Sequence, residues 1–347
     1  MPTFDPNAAA QFDGLFGLPF DERESACVLL PVPFEATTSY RPGTKDGPRA
    51  ILEASRQVDL WDVELGRVYE PGIHLLPESE EVRGWNDEAR FAAEELLALG
   101  GELGGDPRLR AALALVNARS ERLNEWVYGQ TKARLAEGKI VGVLGGDHST
   151  PFGLMRAASE RWPGLGILHV DAHADLREAY EGFTFSHASI MHNAVTRLPG
   201  VAKLVQVGIR DLCEAEREFI RTHPRVVETH FDLPLARERA LGTGWMAQVE
   251  RLLAPLPEHV YLSFDIDGLD PTLCPHTGTP VPGGLSFNEA TLLVLALATS
   301  GRKIVAFDLN EVAPGPEGDE WDGNVAARLL YKIIGGAFAS RGLLTPR

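Results

Sequence analysis

The sequence predicts an α/β fold with a mainly parallel β-sheet that helices cover on both faces. Short apolar runs rich in Val, Ile and Leu recur along the chain without polar alternation, and helix-like stretches separate them. Strands that are buried on both faces have this pattern, because crossover helices cover each side of a parallel sheet. We therefore expect one α/β domain over residues 1–347.

Six of the apolar runs are predicted to be strands. In chain order they read ACVLLPVPF, KIVGVLGG, LGILHVDAH, KLVQVGIR, HVYLSFDID and KIVAFDLNE. Helices are predicted near residues 86–99, 107–136, 151–161, 214–223, 245–253, 287–298 and 324–338. The segment at about 71–138 is polar and helix-forming, and GGELGGDPR interrupts it. We interpret it as an inserted helical lobe or cap within the single domain.

Charge and composition argue against nucleic-acid and membrane partners. The formal net charge is −16, which disfavours binding to nucleic acid or to an anionic membrane surface. No apolar run approaches the ~20 residues of a membrane-spanning helix, and the N-terminus lacks the basic and apolar regions of a secretion signal. Cys27, Cys213 and Cys274 have no CxxC spacing, which indicates a reducing compartment. We expect a cytoplasmic protein.

Polar clusters follow four of the predicted strands at the point where each strand ends. GGDHS follows KIVGVL, DAHAD follows LGILHV, DIDGLDP closes HVYLSF and NEVAP follows KIVAFDL. In open α/β sheets the functional site forms at the carboxyl ends of the strands. The four strands are therefore expected to bring Asp, His and Glu side chains to one edge of the sheet.

Six of these side chains have the composition of a two-metal site: His148, Asp171, His173, Asp175, Asp265 and Asp267. Residues two apart along a strand face the same way, so the side chains of each run can converge. Four carboxylates packed this closely could not all stay ionised without cations. A lone Asp-x-His would more often form a hydrogen-bonded turn, and His148 alone would fit a helix cap. His169 lies deeper in its strand and is expected to be a core or supporting residue.

The ligand types indicate the class of chemistry. Oxygen and nitrogen ligands without thiolate suit Mn, Fe, Ni or Zn and argue against a structural zinc site. Two such ions ~3.5–4 Å apart can share a water and lower its pKa from ~15.7 towards ~7. The chain has no Gly-x-Ser-x-Gly elbow and no convincing Cys–His motif, and GGDHST lacks the Gly-Lys-Ser/Thr ending of a phosphate loop. The predicted reaction is metal-dependent hydrolysis.

These motifs resemble those of the ureohydrolase family, which includes arginase, agmatinase and related amidinohydrolases. The resemblance rests on GGDHS, DAHAD, SFDIDGLDP, TGTPVPGGLS and NEVAP in family order, and on PVPFEATTSYRPGTKDGPRAI near the N-terminus. It covers about residues 26–336 and is poorest at 71–138. It implies a three-layer α/β/α arginase-like fold, an enzyme that releases urea from a small guanidino substrate, and a homo-oligomer, commonly a trimer or hexamer.

The resemblance also implies how the six residues would bind two divalent ions. One ion would be held by His148, Asp171, Asp175 and Asp265, and the other by Asp171, His173, Asp265 and Asp267. Asp171 and Asp265 would bridge the two ions. The family metal is usually manganese (Mn2+), with nickel (Ni2+) in some members.

Three catalytic roles follow from the same resemblance. Glu311 in NEVAP matches the acid that binds the substrate guanidinium, and a carboxylate can hold that planar cation by two hydrogen bonds. Asp175 would also orient the attacking water. His187 in FSHAS matches a histidine that carries a proton to the leaving amine. The family's His-Gly is His187-Ala188 here, so His192 on the same segment is an alternative.

The loop after DAHAD favours an agmatinase-like substrate over arginine. It reads LREAYEGFTFS and lacks the Asn found in arginase-like members. Asp211 and Glu214, together with Glu216, are candidates to bind a cationic tail, but they equally fit acids at a helix N-terminus. Arg177 could instead meet a carboxylate. Guanidinobutyrate, guanidinopropionate, arginine, guanidine and formiminoglutamate therefore stay open as substrates.

Two alternatives from other classes also stay open. A single-metal deacetylase shares the broad fold and an Asp-x-His pattern, and a metal count near one per chain would favour it. A catalytically silent binding protein is the other alternative, and the complete ligand set argues against it.

Overall fold

The computed structural model describes residues 4–346. Its strands are β1 (Cys27–Val32), β2 (Trp61–Asp62), β3 (Gly66–Arg67), β4 (Ile73–Leu75), β5 (Ile140–Gly145), β6 (Leu165–Val170), β7 (Val201–Ile209), β8 (Val227–Phe231), β9 (His259–Asp265) and β10 (Lys303–Asn310). Its α-helices are α1 (Gly47–Ser55), α2 (Glu80–Ala98), α3 (Pro107–Ala136), α4 (Phe152–Arg161), α5 (Ile190–Arg197), α6 (Glu214–Thr222), α7 (Asp232–Ala240), α8 (Trp245–Leu253), α9 (Phe287–Thr299) and α10 (Trp321–Ser340).

Eight strands form one sheet in the order β4-β1-β5-β10-β9-β6-β7-β8. Every pair of neighbours in this sheet is parallel, whereas β2 and β3 form a separate antiparallel pair. The prediction of a mainly parallel sheet is confirmed, and the six predicted strands are β1, β5, β6, β7, β9 and β10. The edge strands β4 and β8 were not predicted, because they are short or only half-buried and so lack a long apolar run.

The sheet separates two hydrophobic clusters, one on each face. Along β1, Cys27 and Leu29 belong to the cluster shared with α1, α8, α9 and α10. Val28 and Leu30 belong to the cluster shared with α2, α3, α4 and α5. Side chains alternate across a strand, so this division gives three layers, α/β/α, as the family resemblance implied. Within residues 4–346 no helix is both long and apolar enough to cross a membrane.

The segment at 71–138 is an integral part of these layers. It starts with the edge strand β4 and continues into α2 and α3, whose buried faces include Val82, Trp85 and Val127 in the same cluster as β1. Helix α2 begins before the predicted residue 86, because the Ser79 hydroxyl accepts a hydrogen bond from the Val82 amide and caps an earlier turn. The predicted bounds of α3 and α8 agree with the structure, whereas α1, α5 and α7 were not predicted.

Candidate active site

The four strands that end in polar motifs are neighbours in the middle of the sheet. Their order is β5-β10-β9-β6, and all four are parallel. Their carboxyl ends therefore lie at one edge, where the loops that follow them meet. This arrangement brings all six predicted metal ligands together.

His148 is surrounded by three carboxylates. Its Nδ1 atom lies 3.0 Å from Asp171 Oδ2, 3.3 Å from Asp175 Oδ2 and 3.1 Å from Asp265 Oδ2. None of these four residues is more than 4% exposed. A single ring nitrogen cannot neutralise three buried carboxylates, so this group has an excess of negative charge.

A second group of ligand atoms shares Asp171 with the first. His173 Nδ1 lies 3.0 Å from Asp267 Oδ2 and 3.5 Å from Asp171 Oδ1. The ligand atoms of Asp171, His173 and Asp267 lie within 4.8 Å of one another and could hold a metal ion. Asp171 therefore lies between the two groups, facing His148 with Oδ2 and His173 with Oδ1.

A polar pair beneath His148 sets its tautomer. Ser263 Oγ donates a hydrogen bond to Asp308 Oδ1 at 2.9 Å, so it accepts one from His148 Nε2, also at 2.9 Å. In the metal-free cluster Nδ1 also carries a proton, which it shares with the carboxylates, and loss of that proton leaves the Nδ1 lone pair pointing at them. Metal-binding histidines have this arrangement, in which the second nitrogen is held by a supporting polar group.

His169 is a supporting residue by the same reasoning. The Gln206 side-chain amide donates to His169 Nδ1 at 3.0 Å, which leaves the proton on Nε2. Nε2 then donates to Asp171 Oδ2 at 2.8 Å. His169 thus orients the shared carboxylate, although its ring lies within reach of the first group of ligand atoms.

Two carboxyl groups of the cluster, Asp175 and Asp265, carry charge that is poorly compensated. Burial and the Asp171 carboxylate raise the pKa of Asp175 well above its ordinary value. Burial together with Asp267 and Asp171 does the same for Asp265. Burial lowers the pKa of His148, but hydrogen bonds to Asp171 and Asp265 outweigh it and raise that pKa well above the usual range. This set of oxygen and nitrogen donors fits divalent metal ions.

Glu311 lines a cavity of about 180 Å³ together with four residues of the cluster, His148, His173, Asp175 and Asp265. The backbone of Glu311 has a φ of 62°, which is in the left-handed region. Two hydrogen bonds hold this conformation: the Glu311 amide donates to the Gly146 carbonyl at 2.9 Å, and Thr277 Oγ1 donates to the Glu311 carbonyl at 2.6 Å. Its Oε1 accepts the His148 amide at 2.9 Å. Burial, then Asp147, raises the pKa of the Glu311 carboxyl well above its ordinary value. Such a carboxylate favours a cationic ligand.

His187 lines the cavity, and His192 is not among its lining residues. The Thr37 hydroxyl donates to Asp147 Oδ2 at 2.9 Å, accepts the His187 amide at 3.1 Å and lies 3.3 Å from His187 Nδ1. Burial lowers the pKa of His187 to about 4, so its imidazole is neutral at pH 7. The His192 ring packs instead against Phe219, with ring centroids 5.1 Å apart.

The outer part of the cavity carries both signs of charge. Asp211 is exposed and lies beside His173 through an isolated β-bridge, and no ion-pair partner is found for its carboxylate within residues 4–346. Arg177 also lines this part, and its Nε atom lies 3.7 Å from Glu216 Oε2. Glu216 is buried and accepts the Leu176 and Cys213 amides at 3.0 and 2.8 Å, so it joins two loops. Glu214 is exposed in the first turn of α6 and is not among the lining residues.

Several residues that support the cluster and His187 were not predicted from the sequence. Ser263 and Asp308 are polar residues inside apolar strand runs, and a polar residue at such a buried position indicates a hydrogen-bonding role. Thr37 and Tyr180 gave no such signal, because their roles depend on loops that approach from distant parts of the chain.

Comparisons with known proteins identify the family of the chain. The model of the arginase family matches residues 25–335. The N(1)-aminopropylagmatine ureohydrolase of Thermus thermophilus is 34% identical over 90% of each chain, and the agmatinase of Halalkalibacterium halodurans is 28% identical over 90% of this chain and 92% of its own. The solved agmatine ureohydrolase of Thermoplasma volcanium has the same fold, with a TM-score of 0.72, 24% identity and coverage of 96% and 97%. The family match over most of the chain and the 34% identical relative show that the chain belongs to the arginase family of ureohydrolases.

Proposed function

We propose that the protein is a binuclear-metal hydrolase that cleaves the guanidino group of agmatine, or of agmatine with an extended amine chain, to give urea and an amine. The observation that carries this proposal is the position of Glu311, a buried residue that lines the same cavity as four residues of the His/Asp cluster. The names of two relatives, an N(1)-aminopropylagmatine ureohydrolase and an agmatinase, support the substrate class.

The cluster would hold two divalent ions, with manganese expected and nickel as the alternative. His148, Asp175 and Asp265 would bind one ion, His173 and Asp267 would bind the other, and Asp171 would contact both, with Asp265 as the second bridge. When bound, such ions lower the pKa of water and so supply a nucleophile at neutral pH.

Glu311 would bind and orient the guanidinium group. A carboxylate and a guanidinium form two parallel charge-assisted hydrogen bonds, which fix the plane of the cation. Gly278 leaves room beside this carboxylate, since a Cβ atom there would lie only 3.0 Å from Glu311 Oε2. The central guanidino carbon is thereby held next to the cluster, where proximity lowers the barrier to attack by water.

Asp175 and His187 would handle the protons. Asp175 accepts a hydrogen bond from the attacking water and orients it towards the guanidino carbon. The neutral His187 imidazole takes up a proton from the addition step and returns it to the amine nitrogen as the C–N bond breaks. Both protons of the water end on the leaving nitrogen, one through His187 and the other through Asp175, so the amine leaves as R-NH3+ and the C(NH2)2 unit keeps the oxygen as urea.

The charges of the outer cavity bear on the tail of the substrate. The exposed Asp211 carboxylate would attract the distal ammonium of agmatine or of its aminopropyl derivative. Arg177, which lines the same part, favours a second candidate, a guanidino acid such as guanidinobutyrate. Replacement of each residue should separate these two candidates.

The test is a urea-release screen of the manganese- and nickel-loaded protein. The panel comprises agmatine, N(1)-aminopropylagmatine, arginine, guanidinobutyrate, guanidinopropionate and guanidine, with formamide release from formiminoglutamate measured alongside. We expect the highest kcat/KM for the first two, and a rise in their KM in Asp211→Asn. Glu214→Gln, which removes a nearby charge outside the cavity, is the matched control. A preference for guanidinobutyrate that Arg177→Gln abolishes would favour the second candidate, and no urea from any compound would contradict the proposal.

Two further expectations accompany this function. A trimer or hexamer is expected, as is common among ureohydrolases. A bound-metal count near one per chain, with deacetylase activity and no urea release, would instead favour the alternative of a single-metal deacetylase.

A further inference from the structure

The loop between β6 and α5 folds back on itself at a four-residue turn, which we call the Tyr180–Phe183 turn. The Phe183 amide donates to the Tyr180 carbonyl at 2.9 Å, and the Tyr180 amide donates to the Phe183 carbonyl at 3.3 Å. Between them Glu181 and Gly182 have φ values of 51° and 86°. Two positive φ angles and paired hydrogen bonds characterise a tight turn that couples its two ends rigidly.

Phe183 anchors this turn in a hydrophobic cluster separate from the main core. The Phe183 side chain is fully buried, and the other buried members of the cluster are Ala93, Leu96, Leu109 and Val116. All four belong to α2 and α3. The turn therefore docks on the hairpin of these two helices, not on the sheet.

Polar contacts and close backbone packing hold the turn in the same place. Asn117 of α3 accepts the Thr184 amide with Oδ1 at 2.9 Å and donates from Nδ2 to the Gly182 carbonyl at 3.3 Å. Gly101, in the connection between α2 and α3, approaches so closely that a Cβ atom there would lie 2.7 Å from Glu181 Cα. The hairpin thus contacts the turn through side chains and backbone.

The other side of the turn faces the candidate active site. The Tyr180 ring meets the His187 imidazole edge-on, with centroids 5.9 Å apart and an interplanar angle of 87°. The Arg177 guanidinium lies 4.7 Å from the centroid of the Tyr180 ring. All three residues line the cavity that contains the cluster. A shift of the turn would therefore move Tyr180 relative to His187 and change the shape of this part of the cavity wall.

We propose that the α2–α3 hairpin sets the position of the cavity wall, with Asn117 and Phe183 as positioning residues for Tyr180 and His187. The hairpin holds the Tyr180–Phe183 turn, and the turn holds Tyr180 against His187. The kinetic part of this inference rests on the proposed ureohydrolase function, whereas its structural part does not. The metal ligands lie outside the turn, so loosening it should leave metal binding intact.

The test uses Asn117→Ala, which removes both side-chain hydrogen bonds to the turn. Asn117→Asp is the conservative variant, because it keeps the acceptor for the Thr184 amide. Leu123→Val is the matched control, because it shortens a buried side chain of α3 that packs on the sheet. In each protein we would measure amide hydrogen exchange of residues 176–187, the rate of His187 modification by diethyl pyrocarbonate, the metal content, and KM and kcat for agmatine.

Asn117→Ala should raise exchange in residues 176–187 and speed modification of His187, with unchanged metal content. Its KM for agmatine should rise and its kcat fall so that kcat/KM drops about tenfold or more, since small displacements of positioned groups are costly. Asn117→Asp should recover part of the loss. Unchanged exchange and modification, or equal effects in Leu123→Val, would overturn the inference, as would faster exchange with unaltered kinetics. If the wild-type protein released urea from no guanidino compound, the proposed function would fall, and exchange and modification alone would decide this inference.

Discussion

Replacing one cluster carboxylate, Asp265→Asn, should stabilise the metal-free protein and remove most of the stabilisation that Mn2+ provides. Asp265 is 3% exposed and faces His148 and two other carboxylates of the cluster. Burial and these carboxylates raise its pKa well above the usual value, so its charge is unfavourable without a cation. Asparagine keeps the shape of the side chain and removes that charge, but it is a poor ligand for a bridging position.

The expected size of the effect follows from linkage and from the length of the chain. An ion present at 1,000 times its Kd stabilises the fold by ~4.1 kcal/mol. With an unfolding entropy of about 2.1 cal/mol/K per residue, 347 residues give roughly 0.7 kcal/mol/K. Each ion should therefore raise the Tm by about 6 °C in the wild-type protein. In Asp265→Asn the combined shift should fall to about 2 °C or less.

The assay is differential scanning calorimetry of chelator-treated protein with and without Mn2+. Asp13→Asn is the control, since it removes one carboxylate from a fully exposed side chain and should leave both Tm values unchanged. If Asp265→Asn lowered the Tm of the metal-free protein and kept the full Mn2+ shift, the cluster would be a hydrogen-bonded network and the reasoning would be refuted.

Three further predictions follow from the site. Glu311→Gln should lower kcat/KM for agmatine about 10²–10³-fold with unchanged metal content, measured by urea release and metal analysis; an unchanged kcat/KM would exclude the binding role of Glu311. His187→Asn should lower kcat about 10²-fold with little change in KM, measured by steady-state kinetics; the reverse pattern would argue against proton transfer. The Tm shift caused by Mn2+ should grow from pH 6 to pH 8. The raised pKa values of Asp175, Asp265 and His148 mean that the metal-free fold holds extra protons and loses stability as pH rises, and a shift independent of pH would contradict this reasoning.

The central strands and the polar motifs that follow them could be predicted because both are features of the local sequence. An unbroken apolar run followed by a polar motif identifies a buried parallel strand and its functional end, as in the run that leads to Asp171. The strand order is a different matter, since parallel pairing joins distant segments. That β5, β10, β9 and β6 are neighbours is visible only in the fold.

The wall of the cavity could not be predicted for a similar reason. Tyr180 lies in a polar loop, and its position depends on Phe183 docking on helices about 70–90 residues earlier in the chain. The segment that carries these helices matches the family motifs poorly, so the resemblance gave no guidance there. Glu216 fits the helix N-terminal role that the sequence left open for it, because its carboxylate accepts the Cys213 amide before α6 as well as the Leu176 amide.

The most direct test of the two-metal ureohydrolase is a titration of the metal-free protein with Mn2+ while urea release from agmatine is followed. The cluster of His148, Asp171, His173, Asp175, Asp265 and Asp267 predicts that activity rises until two ions per chain are bound and then stays constant. A plateau at one ion per chain, or no urea at any metal content, would contradict it.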